Sequence, residues 1–358
     1  MKKKKLLIGY NYILHYRKPF FNELAKHYDV TVLHSGKISV NENDDFSELI
    51  VPTRKLGPFF LQRKLIKECF SKDYDLVILL FDVRWVSTVL TLFLNKALFR
   101  NKKIILWGAW ITKSNIANQV RMALSKMVYA NVYYTAEARR DFVLRGLKPD
   151  NLYVANNTFD VENKSKSYEH DNKFRLLFVG SLDVRKNNID LIEAYKNTLE
   201  HIPENITLTF VGDGKENEVL RSLVDRLGIA DRVDFVGRLE NPLELVQYYN
   251  EALVSISYGQ AGLSVLQSLG FGVPFVTHRD AISGGEKSNI KHGINGSFCD
   301  DRVALEKEII KFANDEHLAR NMGENAYNYY SRFCTIENMV QGFVDAIEHT
   351  NLSCVDES

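Results

Sequence analysis

The sequence predicts an α/β protein that consists of two Rossmann-like domains. First, short apolar segments alternate with helical patterns in both halves, which indicates parallel sheets with right-handed crossovers. Second, 358 residues are too many for one ordinary core and fit two domains of about 150 to 180 residues. Third, the polar stretch 162–173 has no apolar periodicity and is typical of a linker. We therefore predict domains at 1–160 and 161–335, and an amphipathic helix at about 336–350 that packs back on the first domain.

The first domain is predicted from apolar runs that are typical of buried strands. These runs lie at 6–10, 30–34, 76–81, 104–107, 132–134 and 152–154. A helix opens at Pro19, because proline loses no hydrogen bond in a first helical turn. In parallel sheets of this kind, ligands bind beyond the carboxyl ends of the strands.

Polar residues that follow these strands are candidates for a binding rim. Tyr16 and Arg17 lie in the loop after the first strand, and Asp82 and Arg84 follow the third strand. Because the carboxyl ends of parallel strands share one edge, we expect these residues and the segment 108–110 to face the same ligand. The alternative is a local ion pair on the surface for Arg17, Asp82 and Arg84.

The second domain restarts the alternation and contains a glycine loop between a strand and a helix. Its predicted strands lie at 175–179, 206–211, 233–236, 253–256 and 274–277. After the fourth of these, Gly259 and Gly262 allow a tight turn, and Ser264 can add a hydroxyl to the free amide groups of the first helical turn. Such a helix start suits phosphate. The alternative is an ordinary turn whose glycines serve close packing.

A second element directed at phosphate follows the first strand of this domain. Gly180 ends that strand, and Arg185 and Lys186 precede the next helix. A glycine turn with two cations suits a diphosphate, because amide groups orient it and the cations neutralise its charge. Gly212 and Arg238 end two further strands, where they either frame a nucleotide base or form plain turns.

The charge of the chain is divided between its two halves. Residues 1–165 carry 27 Lys and Arg against 15 Asp and Glu, whereas the remainder carries 19 against 30. A basic first half suggests an anionic partner such as a membrane surface, nucleic acid or a phosphorylated substrate. Nucleic acid is disfavoured, since no recognition motif accompanies the charge.

Segments that bear on localisation favour a cytoplasmic protein, free or peripheral on the inner face of the plasma membrane. The stretch 85–99 is either a core helix with a basic end or an interfacial helix on anionic lipid. No apolar run is long enough to span a membrane, and the run 6–10 is too short for a signal peptide. The cysteines show no CxxC spacing, which argues against a zinc site or a disulfide framework. They are Cys69, Cys299, Cys334 and Cys354.

In order and spacing, several blocks resemble the retaining GT-B glycosyltransferases of family 4, the glycosyl transferases group 1, of the type that builds bacterial surface polysaccharides. The blocks are FVGSL from Phe178 followed by Lys186, FVGDG from Phe210, VDFVGR from Val233, and the segment from Gly259 to Pro274. In the first half, HYRKPFF from His15 is similar to the acceptor-side opening of that group, and 157–160 is similar to its interdomain hinge. The resemblance implies a GT-B fold, with two Rossmann-like domains and a cleft between them.

The resemblance also implies roles for individual residues. Lys186 and Arg185 would stabilise the diphosphate leaving group, and Asp82 would contact an acceptor hydroxyl. The acceptor side would include Tyr16, Arg17 and Arg84. The residues that would bind the donor are Gly180, Ser181, Gly212, Arg238, Gly259, Gly262, Leu263, Ser264, Gln267 and Glu286. Glu286 would either orient the donor sugar or cap a helix.

The chain departs from the family pattern at the phosphate and sugar positions. Ser181 stands where the family has an arginine five residues before the phosphate-contacting Lys186, and Arg185 is the candidate substitute. The E-x7-E pair of the family falls on Gly259 and Gln267. The first carboxylate, which touches the donor sugar in the family, is therefore absent, whereas Gln267 can still hydrogen-bond a donor ribose. Some members of the group carry a similar G-x-x-G-L loop, which makes the change a subgroup trait.

The implied reaction is transfer from a nucleoside diphosphate sugar, with retention, to a glycan or polyprenyl-linked acceptor. The nucleoside diphosphate sugar would be a co-substrate, with no metal and no other cofactor. Stabilisation of the departing diphosphate would then supply most of the catalysis.

Three other functions remain open. A sugar-nucleotide epimerase shares the fold but would be expected to hold more carboxylates around the donor. A catalytically impaired protein that binds sugar nucleotides is favoured by the loss of E-x7-E. An NAD-dependent oxidoreductase is disfavoured, because neither half has GxGxxG after its first strand with an acidic residue about 20 residues later.

Overall fold

The structure, a computed structural model, describes residues 3–36, 40–98, 101–161, 165–239 and 242–350. These residues form two compact units. The first unit contains the chain up to Asn157 and again from Ile336 onward, and the second contains Thr158–Thr335. The chain therefore leaves the first unit and later returns to complete it.

The first unit is built on a parallel sheet. Its strands are β1 (Lys5–Gly9), β2 (Asp29–His34), β3 (Ser47–Ile50), β4 (Arg54–Leu56), β5 (Phe59–Leu61), β6 (Leu76–Leu80), β7 (Lys103–Trp107), β8 (Ala130–Tyr133) and β9 (Leu152–Val154). The sheet has the order β3-β2-β1-β6-β7-β8-β9, and β4 pairs only with β5, in antiparallel fashion. The central strands are almost wholly apolar because helices cover both faces.

The helices of the first unit pack on the two faces according to the alternation of side chains along the strands. They are α1 (Lys18–His27), α2 (Arg63–Cys69), α3 (Val86–Ala97), α4 (Asn115–Ser125), α5 (Ala136–Leu144) and, after the return of the chain, α12 (Ile336–Glu348). Leu6 and Ile8 share a core with α1 and α12. Leu7 shares the opposite core with residues of α2 to α5.

Helix α12 supplies a large part of the core that contains Leu6, Ile8 and α1. Phe343 is fully buried and packs against Trp107, with ring centroids 4.9 Å apart, and against Phe20 at 5.0 Å. Met339 and Ile347 lie one helical turn away on each side of Phe343 and are also buried. The segment after the second unit is thus an integral part of the first.

Sequence patterns did not predict the strands at the edge of the first unit. β3 pairs only with β2, and its residues are partly or fully exposed. β4 is exposed along its whole length. Neither strand has the buried apolar run or the strict alternation that marks the central strands.

The second unit repeats the same architecture. Its strands are β10 (Arg175–Val179), β11 (Thr207–Val211), β12 (Val233–Gly237), β13 (Ala252–Ile256), β14 (Phe275–His278) and β15 (Gly296–Cys299). Its helices are α6 (Asn188–Thr198), α7 (Asn217–Arg226), α8 (Leu245–Asn250), α9 (Leu263–Gly270), α10 (Arg302–Asn314) and α11 (Glu316–Phe333). The strand order β12-β11-β10-β13-β14-β15 is that of a Rossmann-like sheet, in which the order reverses beside the first strand.

The second unit begins at Thr158 because that residue is tied to the far end of the unit. The hydroxyl of Thr158 donates to the carbonyl oxygen of Cys334. Val161 is buried in a core of the second unit that also contains Tyr330. The predicted linker 162–173 is wrong in its described part: residues 162–164 lie outside the described residues, but Ser167 is buried and its N–H donates to the carbonyl oxygen of Phe271 (3.0 Å).

No helix among the described residues combines the length and the apolar character that crossing a membrane requires. Phe99, the last residue of the predicted stretch 85–99, lies outside the described residues, as does Arg100, which follows it.

Removal of the Phe343 ring should destabilise the first unit. We expect Phe343→Ala to lower its free energy of unfolding by about 3 to 5 kcal/mol, because the ring leaves a cavity in a closely packed core. Trp85, Trp107 and Trp110 all lie in the first unit, so tryptophan fluorescence during denaturant unfolding reports this unit. Leu144→Ala is the control, since Leu144 is 78% exposed and should change stability by about 0.5 kcal/mol or less. Equal effects of both substitutions would contradict the packing of α12.

Candidate functional site

Three loops of the second unit follow neighbouring parallel strands and meet at one edge of the sheet. Loop A is 180–187 after β10, loop B is 257–262 after β13, and loop C is 279–286 after β14. β10 lies between β11 and β13, which is the point where the strand order reverses. Open parallel sheets bind ligands at such a point, beyond the carboxyl ends of the strands. We call these three loops the loop cradle.

Gly259 joins the three loops through its backbone. Its N–H donates to the carbonyl oxygen of Lys186 (2.9 Å), and its own carbonyl oxygen accepts from the N–H of Ile282 (3.0 Å). The N–H of Ala261 donates to the carbonyl oxygen of Ile282 (2.9 Å). Loop B therefore lies between loops A and C and is hydrogen-bonded to both, much as a central strand is bonded to its neighbours.

No side chain fits at position 259. A Cβ atom there would lie 2.5 Å from the carbonyl oxygen of Arg185 and 2.8 Å from Cβ of Asn187, whereas carbon atoms in good contact are about 3.5 to 4.0 Å apart. The close approach of loop A thus excludes the carboxylate that the family pattern has at this position. Gly259, which was expected to contact the donor, has both backbone polar groups bonded to the other loops and positions them.

Lys186 is the buried cation of the loop cradle. It ends the short 3-10 helix Val184–Lys186 and is 8% exposed. Its Nζ lies 3.5 Å from the carbonyl oxygen of Gln260 in loop B. Burial lowers the pKa of Lys186 below its ordinary value, and the charge of Arg185 lowers it further. An anionic ligand would restore the electrostatic stabilisation that this ammonium group loses through burial.

Arg185 and Ser181 are both bound by Asp183. Nη2 of Arg185 lies 3.5 Å from Oδ2 of Asp183, and the hydroxyl of Ser181 donates to the same oxygen (2.8 Å). Arg185 has a largely exposed side chain. The structure thus brings both predicted residues to loop A, but it pairs them with a carboxylate, so that Lys186 is the better candidate for contact with an anion.

Helix α9 begins directly after loop B. Gly262 is its N-cap, and Leu263 and Ser264 form its first turn, where amide N–H groups have no helical partner. Oγ of Ser264 is buried and has no hydrogen-bond partner among the described residues. The amide groups, this hydroxyl and the positive end of the helix dipole together suit an anion.

Gly212 lies beside loop A, and Arg238 follows the neighbouring strand β12. The N–H of Gly212 donates to the carbonyl oxygen of Gly237 (2.8 Å). A Cβ atom on Gly212 would lie 1.9 Å from the carbonyl oxygen of Gly180, and the φ of Gly212 is +138°. Gly212 is therefore required for close packing of two loops. Arg238 is exposed at the end of β12.

Gln267 is the fifth residue of α9 and is linked to the core. Its Oε1 accepts a hydrogen bond from the hydroxyl of Tyr249 (3.3 Å). Tyr249 is fully buried and stacks on Phe271. One polar atom of Gln267 is thus used to satisfy a buried tyrosine hydroxyl.

Glu286 is a buried carboxylate in loop C. It is 5% exposed, and its Oε2 accepts from the N–H of Gly284 (2.9 Å) and from the hydroxyl of Ser283 (3.2 Å). Oγ of Ser283 in turn accepts from the N–H groups of Gly285 (3.2 Å) and Lys287 (3.0 Å), at the start of the short 3-10 helix Glu286–Asn289, whose N-cap is Gly285. Glu286 is the acidic residue in the first turn of this helix, so the helix-capping role that was considered for it stays an alternative.

In the first unit, Asp82 and Arg84 form an ion pair after β6. Nε of Arg84 donates to both carboxylate oxygens (3.1 and 3.0 Å), and Nη2 donates to Oδ2 (2.6 Å). Burial acts to raise the pKa of Asp82, but the hydrogen bonds from Arg84 outweigh it, so the pKa lies below its ordinary value. Asp82 is thus ionised at neutral pH and can accept a hydrogen bond but not hold a proton.

Arg17 is buried and not displayed on a rim. It is 4% exposed, its Nη2 donates to Oδ1 of Asn157, and its guanidinium lies over the rings of Tyr16 and Trp107. Cations over aromatic faces are stabilised by the ring quadrupole. The expectation of an acceptor-side or surface ion-pair role for Arg17 is therefore not supported by its contacts, whereas Tyr16, which covers it, is partly exposed.

Three residues of the loop cradle were not predicted from the sequence. The Gln260 carbonyl faces Lys186, Ile282 bonds to loop B, and Ser283 holds Glu286. No pattern marks Gln260 or Ile282, because their contacts are backbone contacts between segments that are distant in sequence. Ser283 could have been suggested by its position before a glycine pair and an acidic residue, a sequence suited to a capped turn.

Comparisons with known proteins bear on the second unit most directly. Residues 160–329 match the family described as "Glycosyl transferases group 1". The chain is 33% identical over 139 residues to N-acetyl-alpha-D-glucosaminyl L-malate synthase of Bacillus anthracis. The matched region makes up 38% of this chain and 35% of that protein. The chain is 32% identical over 164 residues to a Campylobacter jejuni alpha-1,4-N-acetyl-D-galactosaminyltransferase, which covers 45% of this chain and 44% of that protein. The matches span less than half of these relatives, and they support the family.

Solved structures resemble the chain over almost its full length. Anabaena Alr3699/HepE in complex with UDP has a TM-score of 0.74 at 17% identity and covers 97% of this chain and 100% of that chain. The lipopolysaccharide outer core galactosyltransferase WaaB has a TM-score of 0.72 at 16% identity, with 96% and 99% covered. At these identities the likeness concerns the fold, and it confirms the predicted α/β fold of the GT-B class.

A methyl group at position 259 should disrupt the loop cradle. We expect Gly259→Ala to destabilise the second unit by about 1 to 3 kcal/mol, because the new Cβ overlaps loop A. Hydrogen exchange of the peptides that contain 184–187 and 280–284, measured by mass spectrometry, should become faster. The matched control is Gly262→Ala, where a Cβ would meet no atom within 4 Å. Unchanged exchange in Gly259→Ala would show that the loops do not depend on this contact.

Proposed function

We propose that the protein is a retaining glycosyltransferase of family 4, which transfers a hexose-type sugar from a nucleoside diphosphate sugar to a glycan or lipid-linked acceptor. The observation that carries the proposal is the loop cradle, where the buried ammonium group of Lys186 and the free N-terminus of α9 occur together at the switch point of a Rossmann-like sheet. Two elements that suit phosphate lie at one edge of the sheet. They fit a ligand with two phosphate groups better than a ligand with one.

The names of related proteins support this assignment. The Campylobacter jejuni relative is named as a transferase that acts on a glycan linked to undecaprenol through a diphosphate. A Bacillus subtilis relative is named poly(glycerol-phosphate) alpha-glucosyltransferase. The Anabaena protein of the same fold is described in complex with UDP and with UDP-glucose. We infer a uridine diphosphate sugar as donor and a role in bacterial surface polysaccharide biosynthesis.

The proposed mechanism depends on stabilising the leaving diphosphate. When the bond between the anomeric carbon and the diphosphate breaks, negative charge develops on the diphosphate oxygens. Lys186 and the amide groups of Leu263 and Ser264 would bind this charge, and Ser264 Oγ would donate one more hydrogen bond. Arg185 would assist once an anion competes with Asp183 for its guanidinium. Neither a metal ion nor a second cofactor is required in this scheme.

The first unit is proposed to bind the acceptor. Asp82 would accept a hydrogen bond from an acceptor hydroxyl, since its carboxylate is ionised and held in place by Arg84. The charges of Asp82 and Arg84 both act on Arg121 of α4. The cluster therefore has an excess of positive charge, which suits an acceptor that carries a phosphate.

Exposed apolar side chains on two helices of the first unit support attachment to a membrane surface. Phe93 on α3 is 55% exposed and Ile116 on α4 is 77% exposed, and Leu90 and Val120 are exposed one turn away on the same helices. Ser87, Thr88 and Thr91 of α3 are buried instead. Lys96 and Lys113 are exposed on or before these helices. Apolar side chains flanked by lysines are typical of helices that lie on anionic lipid.

Loss of the Lys186 ammonium group should abolish most of the transfer activity. We expect Lys186→Ala to reduce kcat/KM about 100- to 1,000-fold, which is the usual effect of losing one donor to a developing oxyanion. The assay is radiolabelled sugar transfer, or hydrolysis of a uridine diphosphate sugar, with purified protein. Lys307→Ala is the control, because Lys307 is exposed on α10, outside the loop cradle.

Two results would contradict the assignment of Lys186. One is transfer at the wild-type rate in Lys186→Ala with an unchanged melting temperature. The other is an equal loss of activity in Lys307→Ala. Absence of any transfer by the wild-type protein across a panel of sugar nucleotides and polyprenyl-linked acceptors would contradict the proposed function itself.

Membrane attachment should depend on the exposed apolar residues and on charge. We expect the protein to float with vesicles of phosphatidylglycerol and phosphatidylethanolamine at low salt, and to be released at about 1 M salt, where charges are screened within about 3 Å. The double substitution Phe93→Ser and Ile116→Ser should weaken flotation. Val219→Ser is the control, since Val219 is an exposed apolar residue on α7 of the second unit. If the double substitution did not affect flotation, the proposal that Phe93 and Ile116 attach the protein to the membrane would be contradicted.

A further inference from the structure

Glu286 is the one buried acidic side chain of the loop cradle within the described residues, and the contacts with phosphate do not use it. A buried carboxylate near a diphosphate would repel the phosphates if it faced them. It must therefore serve a different part of the ligand or only the fold. The position of Glu286 in the loop cradle bears on the first of these roles.

The backbone of loop C places Glu286 beside the other two loops. Gln260 and Ile282 form a parallel bridge, and Ile282 is hydrogen-bonded to both Gly259 and Ala261. Glu286 follows four residues later, and its charge acts on the ammonium group of Lys186. Loop C is thus bonded to Gln260 of loop B, whose carbonyl oxygen lies 3.5 Å from the ammonium group of Lys186.

The orientation of the carboxylate is fixed by loop C itself. Oε2 accepts from the N–H of Gly284 and from the hydroxyl of Ser283. A Cβ atom on Gly284 would lie 3.2 Å from Oε2 and 3.4 Å from Oε1, so the glycine leaves the space that the carboxylate occupies. Ser283 in turn accepts from the N–H groups of Gly285 and Lys287 at the start of the following helix. Loop C therefore fixes where the carboxylate lies.

A fixed carboxylate next to a phosphate site has a clear use in binding a sugar. Carboxylates accept strong hydrogen bonds from hydroxyl groups, and in a sugar nucleotide the hydroxyl-rich ring is attached directly to the diphosphate. A ring that carries its own carboxylate would meet a like charge, which is disfavoured in a site of low exposure. The loop cradle thus offers a cation for the diphosphate and an anion for the neutral sugar.

We propose that Glu286 binds the hydroxyl groups of the donor sugar and selects neutral sugars over sugars that carry a carboxylate. This inference rests on the proposed function in that it assumes a nucleoside diphosphate sugar as ligand. It adds the class of sugar and the residue that recognises it. Ser283 and Gly284 are positioning residues that hold the Glu286 carboxylate.

The test is a calorimetric comparison of three ligands: UDP, UDP-glucose and UDP-glucuronate. If UDP does not bind the wild-type protein, the GDP or ADP series is used in its place. We expect the wild-type protein to bind the neutral sugar nucleotide at least about 10-fold more tightly than the acidic one. In Glu286→Gln, binding of the neutral donor should weaken about 10-fold, since a hydrogen bond to a charged group is replaced by one to an amide. Binding of UDP alone should not weaken, because the substitution only removes a negative charge from the surroundings of Lys186.

The ratio of the two sugar-nucleotide affinities separates recognition from a structural role. Loss of fold would weaken all three ligands together, whereas recognition by Glu286 lowers the ratio and leaves UDP binding intact. Gly284→Ala, which displaces the carboxylate without removing it, should lower the ratio in the same direction. An unchanged ratio in Glu286→Gln with normal UDP binding would overturn the inference. Because binding is measured, a protein without transfer activity would contradict the proposed function but leave this test intact.

Discussion

The backbone hydrogen bonds of Gly259 are the constraint on which the candidate site depends. The carboxyl ends of β10, β13 and β14 bring three loops to one edge of the second sheet, but they do not fix the loops against each other. Gly259 does so by bonding to Lys186 on one side and to Ile282 on the other. Such contact between main chains is possible only where no side chain separates them. The departure from the family pattern at this position is thus a condition for the packing of the loops.

This packing has an electrostatic result. It removes Lys186 from water and places a second buried charge, Glu286, within its influence. Buried charges are stable only when they are bonded or paired, and here Glu286 is bonded by loop C while Lys186 has one weak bond to a carbonyl oxygen. The cation is therefore the group whose stabilisation is least complete before a ligand binds. In the proposed function, a bound anion would satisfy this group.

Much of the fold could be predicted from the sequence, and the reasons for success and failure are local. β9 and β10 lie where the apolar runs predicted them, and the other predicted strands differ by one or two residues at their ends, because burial on both faces demands such runs. β15 was not predicted, although it is largely buried, because Gly296 and Ser297 interrupt any apolar run. We did not predict the exposed strands β3 and β4 or the antiparallel pairing of β4 with β5. These strands are not buried on both faces, so they do not need an apolar run. The predicted linker failed because a polar segment such as Ser167 can be buried when its backbone is hydrogen-bonded.

The candidate site was predicted in its residue types more than in its geometry. Lys186, Ser264 and Glu286 were identified because their positions after strands, or at a helix start, suggest chemistry. The burial of Arg17 beneath Tyr16 depends on Asn157 and on Met339 of α12, which are far from it in sequence. The role of Gly259 depends in the same way on Arg185 and Ile282. Contacts of this kind depend on tertiary structure, and a single sequence carries no local sign of them.

The return of the chain to the first unit has a consequence for biosynthesis. The core that contains Trp107 and Phe20 is closed by Phe343 of α12, and the ribosome makes α12 only after the whole second unit. Domains usually fold in the order in which they are synthesised. Here the first unit begins to be translated first, but part of its core stays exposed until α12 has left the ribosome. The second unit is the only one of the two whose described core is available in a single uninterrupted segment, and it can therefore finish folding first.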